Sequence, residues 1–188
     1  MIKAIIFDCF GVLTADKWHE FRLGLPDDQQ PEASDLNHQY CRGIITKDDF
    51  LAAVTELTGR DAAFTRELVD NEDSKNYRLL EYIRELKQQY KIGLLSNVAT
   101  PWITDTFLTA EEQALFDTFV FSYEVRLTKP DRRIFQLAAE RLDVQTGECV
   151  FVDDIARYAQ AARDAGMQAV AYENFPQTQA DIIKILDR

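Results

Sequence analysis

Short apolar runs recur along the chain, and each ends in polar residues. KAIIFD at 3–8, KIGLLSN at 91–97, TFVFS at 118–122, ECVFVDD at 148–154 and MQAVAY at 167–172 are near-continuous rather than alternating. That is the pattern of strands buried on both faces. Between them the period lengthens. Leu79, Leu80, Ile83, Leu86 and Tyr90 recur at spacings of three and four and predict a helix over 76–90. Ile134, Phe135, Ala138 and Leu142 predict another over 130–142, with Pro130 suited to its first turn. Residues 155–165 are alanine-rich and run into Gly166, a natural helix stop, and Ile182, Ile183, Ile185 and Leu186 mark a terminal helix.

Strands alternating with helices predict an α/β protein: a parallel sheet between two helical layers. Residues 15–75 break the alternation. No strand run occurs there. Thr46 and Asp49 form a capping-box pattern ahead of Phe50, Leu51, Val54 and Leu57, and Asp61 is placed to cap a helix carrying Phe64, Leu68 and Val69. PDDQQPE at 26–32 reads as a polar, solvated loop. The expected organisation is therefore a core of 1–14 and 76–188 with a small helical insertion at 15–75. Placed directly after the first strand, that insertion hangs over the carboxyl edge of the sheet, where a lid would sit. No internal repeat or low-complexity tract is present.

Open parallel sheets bind ligands at the carboxyl ends of their strands. Asp8, Ser96-Asn97, Ser122 and Asp153-Asp154 all fall at those ends. An aspartate exposed there can act as a nucleophile or as a hard oxygen ligand. Asp8, Asp153 and Asp154 together could hold magnesium, Lys129 would offset phosphoryl charge, and Ser96 with the Asn97 amide could bond phosphoryl oxygens. Each residue alone has an ordinary reading: a turn for Asp8 and Ser96-Asn97, a solvated lysine, helix caps for the acid pair. Their joint placement at successive strand tips argues against four separate accidents.

The ordered set FDCFGVL, LLSN, TKPDRRIF and VFVDD resembles the four motifs of the haloacid dehalogenase-like hydrolase superfamily, in the branch with a helical cap after the first motif. The resemblance implies a Rossmann-like core and a helical-bundle cap at 15–75. It implies that Asp8 is the nucleophile and forms an aspartyl-phosphate, that Ser96 is the second-motif hydroxyl and that Lys129 is the third-motif lysine. It further implies Mg²⁺ held by Asp154, with Asp153, Asp8 and the Phe10 main-chain carbonyl around it.

The chain departs from that pattern at Phe10. Most phosphatases of the superfamily carry a second aspartate there, which protonates the leaving group. Phenylalanine cannot, and such help is worth about 10²–10⁴-fold. Three accounts stand open. One is a phosphatase in which another group supplies the proton. Another is a 2-haloacid dehalogenase, which places an aromatic at this position and needs no metal; the acid pair weighs against it, and a pairing of Arg42 with a substrate carboxylate speaks for it. The last is a weakly catalytic protein that binds a phosphorylated ligand or a partner. Tyr158 stands where the family often has asparagine. His19 and His38 lie in the insertion, where either could reach the site, while Trp18, Phe21 and Tyr40 are expected to pack within it.

Composition narrows the partners. Among 188 residues, 46% are apolar and 28% charged, ordinary for a globular chain, and no run approaches the roughly 18 apolar residues of a membrane span. Asp8 interrupts the first apolar run before a secretory signal can form, so a cytoplasmic location is expected. A net charge of −11 repels nucleic acid and anionic membranes. The three cysteines, Cys9, Cys41 and Cys149, show neither zinc nor disulfide spacing, and Cys9 has no neighbouring histidine to activate it. The expected protein is a magnesium-dependent phosphatase acting on a small phosphorylated metabolite, as a monomer or homodimer.

Overall fold

Five strands, Ala4–Phe7 (β1), Lys91–Ser96 (β2), Thr118–Phe121 (β3), Cys149–Asp153 (β4) and Gln168–Ala171 (β5), form one parallel sheet in the order β3-β2-β1-β4-β5. The structure is a computed structural model and describes residues 1–69 and 75–187. β1 lies at the centre, with Phe7 level with Leu94 on β2 and with Val152 on β4. The chain moves outward from β1 to β2 and β3, then crosses back to β4 and β5. The order reverses between β1 and β4, the place where such sheets bind ligands.

All five predicted strands form, because both sheet faces are covered. Ile5, Phe7, Ile92, Leu94, Val150 and Val152 face Leu79, Ile83 and Ile182 on one side. These last come from helices Tyr77–Leu86 (α5) and Phe175–Leu186 (α10). Ala4, Ile6, Leu95, Val120 and Phe151 face Ile134, Phe135, Ala138, Tyr158 and Ala162 on the other, from helices Arg132–Arg141 (α8) and Ala156–Asp164 (α9). Each fully buried Ile or Phe of β1 contributes about 1.5–3 kcal/mol. Gly166, at φ +101°, closes α9. Two four-residue helical turns, Ala110–Gln113 (α6) and Ser122–Val125 (α7), flank β3.

Among the described residues the insertion holds four helices: Lys17–Leu23 (α1), Gln30–Cys41 (α2), Lys47–Thr58 (α3) and Ala62–Val69 (α4). Tyr40, Phe50 and Val54 form a separate small core, joined by Trp18 and Phe21. The Thr46–Asp49 capping box is present, and the Phe64 N–H donates to Asp61 Oδ1 at 2.7 Å. The side chains of Leu68 and Val69, named with that helix, lie outside the described residues, as do residues 70–74 near the expected end of the insertion.

Two expectations are corrected. The polar stretch 26–32 is not all loop: α2 begins at Gln30, with Pro31 in its first turn, where a missing N–H costs nothing. Pro130 is not in a helix. It follows a cis Lys129–Pro130 bond, and α8 starts two residues later, capped by Asp131, whose Oδ1 accepts the Arg133 N–H at 2.9 Å. Among the described residues no helix is long and apolar enough to cross a membrane.

Candidate active site

The ladder continues one residue past β1: the Asp8 N–H donates to the Val152 carbonyl at 2.9 Å. The chain then leaves the sheet in a tight turn, with the Leu13 and Thr14 N–H groups both on the Cys9 carbonyl, at 2.7 and 3.1 Å. Asn76 ties this turn to the start of α5, its Nδ2 donating to the Val12 carbonyl at 3.0 Å and its Oδ1 accepting from Leu79. Asp8 is thereby fixed at the tip of the central strand.

Strand alternation puts Asp8 and Asp153 on the sheet face that carries Ile6 and Phe151. Lys129 reaches them from the turn before α8. Its Nζ lies 2.7 Å from Asp8 Oδ2 and 2.6 Å from Asp153 Oδ2, and it sits 5.1 Å from the centre of the Tyr158 ring. All three side chains are buried, with Lys129 1% exposed. Burial alone would favour the neutral amine, but attraction to Asp153 and Asp8 outweighs it and raises the Lys129 pKa above its usual value. Burial pushes the Asp8 carboxyl well up, opposed by Lys129 and reinforced by Asp153 and Asp154.

Asp154 completes the cluster. One carboxylate oxygen from each of Asp8, Asp153 and Asp154 lies within 4.8 Å of the others. Asp153 Oδ1 accepts the Ile155 N–H at 2.8 Å, whereas the buried Oδ1 of Asp154 has no hydrogen-bond partner among the described residues. Burial, and then repulsion from Asp153, pushes the Asp154 carboxyl up to about 7. A Cβ at Gly11, which has φ +78°, would come within 2.3 Å of the Asp154 carboxylate. Three carboxylates against one ammonium, an orphaned oxygen and a backbone turned close at a glycine fit a hard divalent cation such as magnesium.

The side-chain amide of Asn97 is committed to Lys129: its Oδ1 accepts the Lys129 N–H at 2.8 Å, and its Nδ2 donates to the Lys129 carbonyl at 3.1 Å. Ser96 is fully buried, with its hydroxyl unpartnered among the described residues, and it does not line the cleft described next. Ser122, the other polar strand tip, is engaged structurally; its Oγ donates to the Cys41 carbonyl at 2.7 Å and accepts the Val98 N–H at 2.9 Å. Cys9 is buried, and burial raises its thiol pKa well above the ordinary value.

Asp8 and Lys129 form part of the wall of a cleft with about 120 Å³ of room, closed on the other side by the helical insertion. Phe10 also lines it, stacked on Trp102 at 5.8 Å, with Trp102 stacked on Phe107 at 5.0 Å. Trp18 and Tyr40 serve both the small core and the cleft. His19 and His38 face the cleft as well. The Arg22 guanidinium donates to His19 Nδ1 at 3.2 Å, so the imidazole proton is on Nε2. Tyr158 Oη accepts from Arg157 at 3.0 Å and is hydrogen-bonded to His38 Nε2 at 3.3 Å. Burial lowers the pKa of both imidazoles, which favours their neutral forms. Arg42 does not line the cleft; its Nε donates to the Arg126 carbonyl.

Several cleft residues had no separate signal in the sequence. Asp16 caps α1, with its Oδ1 accepting the His19 N–H at 2.8 Å, and burial raises the pKa of its carboxyl. An Asp before a helical stretch was a readable cap; nothing in the spacing pointed to Arg22, Trp102 or Arg157.

The parallel sheet carries a lysine-bridged carboxylate cluster at its switch point, the place where open α/β sheets bind their ligands. Residues 2–166 match the family described as haloacid dehalogenase-like hydrolase, and the chain belongs to that family. A phosphatase of Mycobacterium tuberculosis is 26% identical over 209 residues, covering 98% of this chain and 94% of that protein. Beta-phosphoglucomutase of Bacillus subtilis is 25% identical over 210 residues, covering 97% and 88%. The structure of a HAD family enzyme from Bacteroides thetaiotaomicron, in complex with magnesium and inorganic phosphate, superposes with a TM-score of 0.69 at 20% identity, covering 93% of this chain and 98% of that one. This last likeness shows the shared fold.

Proposed function

We propose that the protein is a magnesium-dependent phosphatase that hydrolyses a small phosphorylated metabolite through an aspartyl-phosphate on Asp8. The observation that carries this reading is the buried Lys129 ammonium, bridging Asp8 and Asp153 beside the unpartnered oxygen of Asp154. An Asp8 carboxylate oxygen attacks phosphorus, the phosphorus–oxygen ester bond breaks, and the departing alkoxide takes up a proton. Water then attacks the phosphorus of the acyl phosphate, releasing inorganic phosphate and restoring Asp8.

Lys129 offsets the charge of the phosphoryl group, Asn97 holds Lys129 in place, and the Ser96 hydroxyl is a donor for a phosphoryl oxygen. Asp153 and Asp154, with Asp8 and the Phe10 carbonyl, are the groups to hold magnesium, which when bound would neutralise phosphoryl charge and orient the group for in-line attack. Residues 15–75 act as the cap that screens the reaction from water. With Phe10 in place of an acid, the half-buried Asp16 carboxyl is the cleft's candidate proton donor.

The test is hydrolysis of an aryl phosphate with and without magnesium, in the wild type and in Asp8→Asn. Metal-dependent turnover that disappears in Asp8→Asn supports the reading, and turnover surviving that change refutes it. The stacked Phe10 favours a second reading, a weakly catalytic binder of phosphorylated ligands. It predicts saturable phosphate-ester binding with negligible turnover even of the aryl ester. Release of chloride from a 2-haloacid would point instead to carbon as the atom attacked by Asp8.

A further inference from the structure

The chain is strongly acidic, yet two arginines from different elements line the cleft. Arg22 comes from α1 in the insertion, and Arg157 from α9 in the core. Among the described residues neither forms an ion pair with a carboxylate. The side chains they donate to are neutral. Arg22 donates to His19 Nδ1, while Arg157 donates to the Tyr158 hydroxyl with its guanidinium carbon 4.9 Å from the Tyr158 ring centre. These contacts fix the two groups and leave most of their N–H donors without a partner among the described residues; Asp16 attracts Arg22 without forming an ion pair with it.

The position matters as much as the charge. A second depression adjoins the cleft above the start of α2, and the two share Arg22, Ser34, His38 and Arg157. The arginines therefore stand in the passage between the Asp8–Lys129 wall and that depression. Asp27 and Asp35 line the depression too. Each accepts from a glutamine, Gln30 at 3.4 Å and Gln39 at 2.7 Å, and among the described residues neither is within ion-pair distance of Arg22 or Arg157.

Guanidinium is suited to planar, two-point recognition of carboxylate or phosphate. We propose that Arg22 and Arg157 form a second anion subsite, and that the substrate carries a carboxylate or a second phosphate in addition to the phosphoryl group presented to Asp8. This rests on the phosphatase reading above and narrows it to doubly anionic phosphate esters. His38 and Ser34 contribute neutral hydrogen-bonding groups to the same passage.

Matched substrates test it. 3-Phosphoglycerate and glycerol 3-phosphate differ in a carboxylate against a hydroxymethyl group; fructose 1,6-bisphosphate and fructose 6-phosphate differ in a second phosphate. The wild type is expected to favour the doubly charged member of at least one pair by about tenfold or more in kcat/KM, the scale of one charge-assisted contact. Which pair shows the preference tells carboxylate from phosphate. In the double variant Arg22→Gln/Arg157→Gln the ratio within that pair falls towards one, mainly through KM. Equal use of both members by the wild type, or a ratio that survives in the double variant, overturns the subsite. Should no phosphate ester be turned over, the phosphatase reading fails by itself. The subsite is then decided by melting temperature with magnesium. It stands if 3-phosphoglycerate or fructose 1,6-bisphosphate raises it above its partner compound in the wild type and not in the double variant, and falls otherwise.

Discussion

Lys129 Nζ lies 2.7 Å from Asp8 Oδ2, and both side chains are closed off from solvent. Among the described residues the ammonium is the only cation in contact with the carboxylate cluster, and it serves two carboxylates at once. Breaking a buried pair by removing one partner costs about 3–5 kcal/mol, because the remaining charge stays desolvated. Lys129→Met keeps much of the side-chain volume and removes the charge. Its unfolding free energy, measured by urea denaturation at neutral pH, is expected to fall by an amount in that range, with turnover lost. A variant as stable as the wild type would show that the pair holds nothing together.

Gly11 tests the proposed metal site without replacing a carboxylate. Its φ of +78° favours glycine, and an added methyl would meet the Asp154 carboxylate at 2.3 Å. Gly11→Ala should cost about 1–2 kcal/mol from the backbone alone. The larger expected effect is on magnesium: its stabilisation of the protein against heat, measured by calorimetry with and without the ion, should be strongly reduced. An unchanged response to magnesium would separate Asp154 from the ion.

Asp16 is expected to matter in proportion to the leaving group. A phenolate departs without a proton; an alkoxide does not. Asp16→Asn keeps an oxygen to cap α1 at the His19 N–H. It should lower kcat for an alkyl phosphate by about 10²-fold while affecting an aryl phosphate far less. Burial raises the Asp16 carboxyl above the ordinary carboxylate range, opposed by the His19 N–H bond and by His19, Lys129 and Arg22. An acid must be protonated to act, so the alkyl-phosphate rate should fall as pH rises through that raised value. The falling limb should be absent in Asp16→Asn. Equal losses on both substrates would remove Asp16 from proton transfer.

The three thiols should be inert in the folded protein. All are buried, and burial raises the thiol pKa of Cys9 well above its ordinary value and those of Cys41 and Cys149 to about 12. Titration with an aromatic disulfide at pH 8 should find none of them in the native state and three after unfolding. A fast-reacting thiol in the native protein would contradict the packing around it.

The strands and their polar tips were legible because a parallel sheet covered on both faces needs continuous apolar runs, and those runs stop where the chain meets the cleft. Phe7-Asp8 and Val152-Asp153 show this most plainly. The insertion was legible only where it caps itself, at Thr46 and Asp61. α1 buries no residue fully, and α2 fully buries only Ala33, Tyr40 and Cys41, so neither carries a clear apolar stripe. Pro130 was misplaced because proline suits both a first helical turn and the turn before a cap; Asp131 decides between them. The contacts of Asn97 with Lys129 and of Tyr158 with His38 join positions far apart in the chain, and no local pattern encodes them.

The central claim is that Asp8 carries the phosphoryl group during turnover. Mixing the protein with an aryl phosphate and magnesium, quenching in acid within one turnover and mapping the adduct by mass spectrometry tests this directly. The account predicts one phosphoryl group on the peptide containing Asp8, absent in Asp8→Asn. A phosphoryl group on any other residue, or turnover at full rate with no adduct on Asp8, would contradict it.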